Sequence, residues 1–129
     1  MTGQPGRDMR RRLGDFGEQV ATAHLRRHGY RILERKWRCQ AGELDLVAQQ
    51  GEQIVFVEVR TRRGTMHGTP EESITLHKQH RLIALAYTYL EAHNLDDTTA
   101  WRIDVVAIDI DGGGRVTRLN HIPYAIEQG

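Results

Sequence analysis

The sequence predicts an α/β domain, a three-layer α/β/α sandwich around a mixed central sheet of about five strands. Three observations carry that expectation. Apolar residues recur at helical spacing over residues 13–28. The run Ile54-Val55-Phe56-Val57 is apolar on both faces, as a strand in the middle of a covered sheet must be. The periodic segments follow the order helix, three strands, helix, two strands.

Taken in order, Met1 to Arg12 reads as a flexible basic tail and residues 13–129 as one domain. Leu13, Phe16, Val20, Ala21 and Leu25 mark the first helix, with Gly29 as its stop. Tyr30 to Arg38 is a short, charged strand suited to a sheet edge. Gly42 to Gln49 alternates Leu44, Leu46 and Ala48 with Glu43, Asp45 and Val47. A turn at Gln50-Gly51-Glu52 leads to the strand Ile54 to Arg60, and Thr61 to Gly68 reads as a basic, glycine-punctuated loop. Thr69-Pro70-Glu71-Glu72 has the form of a capping box and opens a second helix running to about His93. Trp101 to Ile110 and Arg115 to Ile122 are strands joined at Asp111-Gly112-Gly113-Gly114, and Pro123 to Gln128 adds a short terminal helix.

The 129 residues are enough for one core. No apolar run reaches the roughly 20 residues of a membrane-spanning helix. The polar, arginine-bearing N-terminus does not read as a secretory signal, and the single cysteine, Cys39, has no internal partner. A cytoplasmic protein with no membrane contact is the expectation. The net charge of +1 conceals an asymmetry. Residues 1–63 carry thirteen Lys/Arg against eight Asp/Glu, whereas residues 64–129 carry five against nine. The basic half is nearly all arginine, whose planar fork suits phosphate oxygens; a solvated charged face is the alternative.

Asp45 and Glu58 each interrupt an apolar strand pattern, a costly placement unless a cation satisfies the carboxylates. Glu58 and Arg60, two apart on a strand, share a face. Glu18, at the edge of the first helix's apolar stripe, can reach over the sheet as a third acid. Such carboxylates suit Mg²⁺ or Mn²⁺, which neutralises a phosphodiester in transition and activates water. Singly, each acid has a plainer reading: Asp45 on a half-exposed strand, Glu58 and Arg60 as a surface ion pair, Glu18 as a helix surface residue. Lys78 falls amid Ile74, Leu82, Leu85 and Tyr89. It either points toward Asp45 and Glu58 or packs its stem and sends its amine to water. His24/His28 and His77/His80 permit metal binding on spacing alone, but no third ligand stands in register with either pair.

Gly42-Glu43-Leu44-Asp45-Leu46-Val47 and Phe56-Val57-Glu58-Val59-Arg60-Thr61-Arg62 resemble the YraN family of small bacterial proteins. The resemblance extends to Gly17-Glu18, His28-Gly29-Tyr30, Gly68 with Pro70, Lys78, Arg102-Ile103-Asp104-Val105-Val106 and His121-Ile122. It implies a restriction-endonuclease-like fold related to archaeal Holliday-junction resolvases. It also implies roles: Asp45 and Glu58 as the two acids of the nuclease signature, Glu18 as the helix-borne acid, and Glu43 as an outer acid or a solvated strand residue. Arg60 departs from the family's usual lysine; an arginine stays charged at any working pH and cannot serve as a base.

The expectation is therefore a metal-dependent endonuclease acting on DNA, with branched or flapped structures as candidate substrates. Glu18, Asp45 and Glu58 would hold metal, Arg60 and Lys78 would address phosphate or water, and Arg62 and Arg63 would contact the backbone. Alternatives are a non-cleaving nucleic-acid-binding module and a protein-interaction scaffold. The resolvase resemblance makes a homodimer a state to test.

Overall fold

A computed structural model describes residues 5–64 and 69–127. Its elements are α1 (Pro5–Arg27), β1 (Arg31–Cys39), β2 (Gly42–Gln50), β3 (Gln53–Arg63), a 3₁₀ turn (Pro70–Ser73), α2 (Leu76–Ala92), β4 (Trp101–Ile110) and β5 (Val116–Ile126). The five strands lie in sequence order in one sheet. β3 and β4 are parallel and the other neighbours antiparallel, so the sheet is mixed.

Each face of the sheet has its own core. Ala21 and Leu25 of α1 pack with Leu46, Ala48, Val55, Val57, Val106 and Ile108. Leu82, Leu85, Ala86 and Tyr89 of α2 pack with Leu44, Val47, Phe56 and Ile103 on the opposite face. Alternation of side chains along β3 explains the split: Val55 and Val57 face α1, and Phe56 faces α2. A parallel β3–β4 pair needs a long crossover, and α2 supplies it while covering the second face. Trp37 and Trp101 pack against the α2 core, Trp37 edge-on to Tyr89 with ring centroids 5.2 Å apart.

α1 ends in a left-handed cap. Gly29 has φ +86°, Tyr30 N–H donates to Leu25 O at 3.0 Å and Gly29 N–H to Arg26 O at 3.1 Å. Leu25 and Tyr30 then both enter the α1-side core.

Several boundaries differ from the sequence expectation. Residues 5–12, expected as tail, are the first turns of α1. Proline suits a first helical turn, Asp8 complements its positive end, and the arginines that follow are good helix formers. The second helix does not start at Thr69, whose side chain makes no cap bond; the chain makes a 3₁₀ turn and returns to extended backbone at Ile74. Thr75 caps α2 instead, its hydroxyl accepting Lys78 N–H at 3.2 Å. Within the 3₁₀ turn Glu71 is held by Arg118, at 3.0 and 2.7 Å, and by Asn120 at 2.9 Å, which ties this segment to β5. Hydrogen bonding from Arg118 holds its carboxyl down at about 2.

β3 runs past Thr61 to Arg63 because its parallel ladder with β4 continues to Arg63↔Ile110. The expected terminal helix from Pro123 is instead the end of β5, which pairs Ile126 with Ile103. Gly68 and Gln128 lie outside the described residues. Among the described residues no helix is long and apolar enough to cross a membrane.

Candidate metal centre

β2 and β3 pair from Gln50↔Gln53 to Leu46↔Val57 and then part. Alternation also breaks in β2, where Leu44 faces α2 while Leu46 and Ala48 face α1. Across from this point Lys36 of β1 adopts a left-handed backbone, φ 54°, an unusual conformation for a lysine. Where the strands part, Val59 N–H loses its ladder acceptor and donates to Asp45 Oδ2 at 2.9 Å. The parting thus aims Asp45 between the strands, beside Glu58.

Asp45 and Glu58 stand side by side, and each perturbs the other's ionisation. Burial, then the charge of Glu58, pushes the Asp45 carboxyl up to about 8. Burial also raises Glu58, against the pull of its bond to Asp45 and of Arg60 and Lys78. Arg60 Nη1 lies 3.4 Å from Glu58 Oε2, and Arg60 Nη2 donates to Ser73 O at 3.3 Å. Its Nε is buried with no hydrogen-bond partner.

Glu18 reaches the same point from α1 and is 6 % exposed. Burial raises its pKa. Lys36 Nζ lies 3.0 Å from Glu18 Oε1 and 2.7 Å from Asp15 Oδ1. The first of these is poorly aimed, leaving Glu18 Oε1 without a hydrogen bond of good geometry. Gly17 allows the close approach. A Cβ there would collide with the Thr61 hydroxyl and come 3.0 Å from Thr61 Cβ. Gly17→Val should push α1 off β3, costing about 1–3 kcal/mol and loosening Glu18. The check is urea unfolding together with Mn²⁺ titration, both expected to weaken.

Oxygens of Glu18, Glu43 and Asp45 all lie within 4.8 Å of one another. Ligands about 2.1 Å from one Mg²⁺ would be separated by about 3 to 4.2 Å, so small side-chain shifts bring three of these oxygens onto one ion. The donors are hard carboxylates, one oxygen is buried without a good partner, and burial raises the pKa of Glu18, Asp45 and Glu58. This donor set fits a hard divalent cation. Glu43 occupies the place in the trio that the sequence suggested for Glu58, and it also pairs with Arg38 at 2.6 Å.

The remaining expected residues fall in different places. Lys78 is exposed in the first turn of α2, so the apolar-stripe placement does not hold. Its side chain nevertheless lines a cavity of about 260 Å³ with Glu43, Asp45, Glu58 and Arg81. Arg62 is not in a loop; it lies on β3 and donates to Asp109 Oδ1 at 3.0 Å. Arg63 is exposed at the end of β3. Beyond Arg60 a second cavity, about 450 Å³, is lined by Arg10, Arg60, Arg62, Thr69 and Ser73. Lys36 was not singled out by sequence, since a lysine among charged edge-strand residues looks ordinary; only the β1–β2 register, with Arg35 and Trp37 paired to Leu46 and Leu44 on either side of Asp45, marks it.

The family model described as uncharacterised protein family UPF0102 matches residues 17–108. That span includes Glu18, Glu43, Asp45, Glu58, Arg60 and Lys78. A UPF0102 protein of Roseiflexus castenholzii is 54 % identical over 92 % of this chain and 96 % of its own length. One from Chloroflexus aurantiacus is 56 % identical over 91 % and 94 %, and one from Moorella thermoacetica 51 % over 90 % and 96 %. With a family model over more than half its length and relatives this similar end to end, the chain belongs to the UPF0102 family.

Proposed function

We propose that the protein is a Mg²⁺- or Mn²⁺-dependent endonuclease that hydrolyses phosphodiester bonds in DNA, branched or flapped structures among them. The observation that carries this reading is the meeting of Glu18, Glu43 and Asp45 within 4.8 Å, with Glu58 and Arg60 alongside. The cation, when bound, would neutralise the scissile phosphate and lower the pKa of a bound water.

Glu18, Glu43 and Asp45 would hold it as carboxylates, so metal affinity would rise with pH as the raised Asp45 carboxyl ionises. Glu58, steadied by Arg60, would accept a hydrogen bond from the attacking water. Arg60, an arginine and so a fixed cation, would stabilise the developing anion through its guanidinium. Lys78 and Arg81, at the mouth of the acidic cavity, would meet flanking phosphates, as would Arg10 in the larger cavity beyond Arg60. Arg63 extends that basic margin. Contacts of this kind give salt-dependent affinity without sequence preference.

The test is a panel of branched, flapped, single-stranded and linear duplex DNAs incubated with Mn²⁺. Cleavage that disappears with chelator supports the reading. A second reading, a non-cleaving nucleic-acid-binding module, draws on Arg60 being engaged by Glu58 and Ser73 and unable to act as a base. Salt-dependent binding to the panel without cleavage would select it. No binding at low salt would leave a protein-interaction scaffold.

A further inference from the structure

On the α1 face of the sheet, His24 has an imidazole on each of two sides, from two distant segments of the chain. The ring centroids of His24 and His28 are 4.2 Å apart, one helical turn along α1, and those of His24 and His121 are 5.6 Å apart. The third ring comes from β5, where His121 pairs with Val106. Spacing along the chain could not reveal it, as 93 positions separate His28 from His121. We propose that His24, His28 and His121 form a second cation site, taking a divalent transition metal of the zinc type with imidazole ligands.

Two of the rings already have their tautomers set by neighbours. His28 Nδ1 lies 2.7 Å from His24 O, and a carbonyl only accepts, so Nδ1 carries the proton and Nε2 keeps its lone pair. His121 Nε2 lies 2.8 Å from Asp104 Oδ2. Asp104 is fully buried and also receives Arg102 at 2.8 and 3.2 Å and Tyr124 N–H at 3.1 Å. Burial opposes its ionisation, but the bonds from His121 and Arg102 outweigh that and hold its carboxyl below the usual range. His121 therefore donates from Nε2 and, in its neutral form, offers Nδ1. A carboxylate oriented behind a histidine in this way is the usual outer support of a metal-bound imidazole. Burial first, then the neighbouring His28 and His121, lowers the pKa of His24, which keeps its ring neutral and able to ligate.

Access and geometry agree. His28 is exposed and His24 and His121 are half-buried, so the cluster opens to solvent. Rings around a tetrahedral ion have centroids about 5 Å apart, which the His24–His121 spacing matches. Among the described residues only the acidic trio already has three ligand atoms within 4.8 Å, so the histidine site would close by His24 turning between the His28 and His121 rings, which keep their bonds to His24 O and Asp104. Soft-to-borderline metals prefer imidazole and Mg²⁺ prefers the carboxylates, so the two centres select different ions. The bound ion would clip the C-terminal end of α1 to β5.

The test uses the untagged full chain at pH 7.5 in a non-coordinating buffer, titrated with Zn²⁺ by calorimetry and by nitrogen-15 NMR of the imidazoles. One ion should bind with a Kd of about 10 µM or tighter, shifting the resonances of His24, His28 and His121. His28→Gln, at an exposed position, should fold normally by circular dichroism and weaken Zn²⁺ at least about tenfold. His24→Gln should do the same, and Asp45→Asn should leave Zn²⁺ binding intact. A Kd above about 100 µM, an affinity unchanged within twofold in His28→Gln, or shifts confined to His77 and His80 would overturn the proposal.

Discussion

Asp45→Asn is expected to abolish Mn²⁺-dependent cleavage, lowering the rate by about 10³-fold or more, while making the metal-free protein more stable at pH 8. The two effects have one cause. Asp45 is held in a half-buried place beside Glu58, where burial and that neighbouring charge oppose its ionisation. Asparagine keeps the shape and can still accept Val59 N–H, but it brings neither the charge that binds metal nor the charge that burial penalises.

The sign follows from proton linkage. The folded-state pKa of Asp45 is raised from 3.8 to about 8. Between those values the native chain holds a proton that the unfolded chain has lost, so stability is fully present below about pH 4 and falls as pH rises toward 8. Metal-free wild type should therefore melt several degrees lower at pH 8 than at pH 6, with saturating Mn²⁺ restoring most of the difference. In Asp45→Asn the pH 6 to pH 8 decline should shrink and the Mn²⁺ effect should vanish. Thermal melts at the two pH values, with and without Mn²⁺, measure all of this. A variant that still cleaves, or a wild type whose Tm is insensitive to Mn²⁺, would remove Asp45 from any metal centre. A site that costs stability when empty and repays it when loaded is the expected balance between function and fold.

Asp45 and Glu58 could be read from sequence because each breaks an apolar alternation, and such breaks are rare enough to notice. The two-sided apolar run at Ile54 to Val57 likewise placed β3 in the middle of the sheet, where it lies. Other features depend on partners that spacing does not reveal. Arg62, expected in a basic loop as a backbone contact, lies on β3 and binds Asp109, 47 positions away. Glu71, beside the expected capping acid Glu72, instead binds Arg118 and Asn120 of β5. β5 continues beyond Ile122 because Ile103 offers a ladder partner and because Asp104 accepts Tyr124 N–H at a bulge where Tyr124 takes φ 53°. Local propensity sets where an element can form, and tertiary hydrogen bonds decide where it stops. Lys36 is the sharpest case, since its left-handed backbone is a property of the strand pairing around it rather than of its neighbours in sequence.

Arg102→Met should cost about 3 kcal/mol or more, lowering the Tm on the order of 10 °C. Arg102 is 7 % exposed and binds Asp104, Tyr30 Oη at 2.9 Å, Gln53 Oε1 at 2.6 Å and Gln50 Oε1 at 3.0 Å. One guanidinium thereby joins β4 to the β2–β3 turn and to the cap of α1, and its carbon sits 5.1 Å from the Tyr124 ring centroid. Removing it leaves the buried Asp104 carboxylate with only His121 and Tyr124 N–H as partners among the described residues, and an uncompensated buried charge is far costlier than a missing contact. The additional change Asp104→Asn should therefore recover part of the loss, a coupling that urea unfolding of the two single variants and the double variant would measure. Additive losses, or a single variant within 1 kcal/mol of wild type, would show that the pair stabilises little. Because Tyr30 anchors the end of α1 and Glu18 lies three turns back along the same helix, Arg102→Met should also weaken Mn²⁺ binding, though less than Gly17→Val, which acts beside the acid itself.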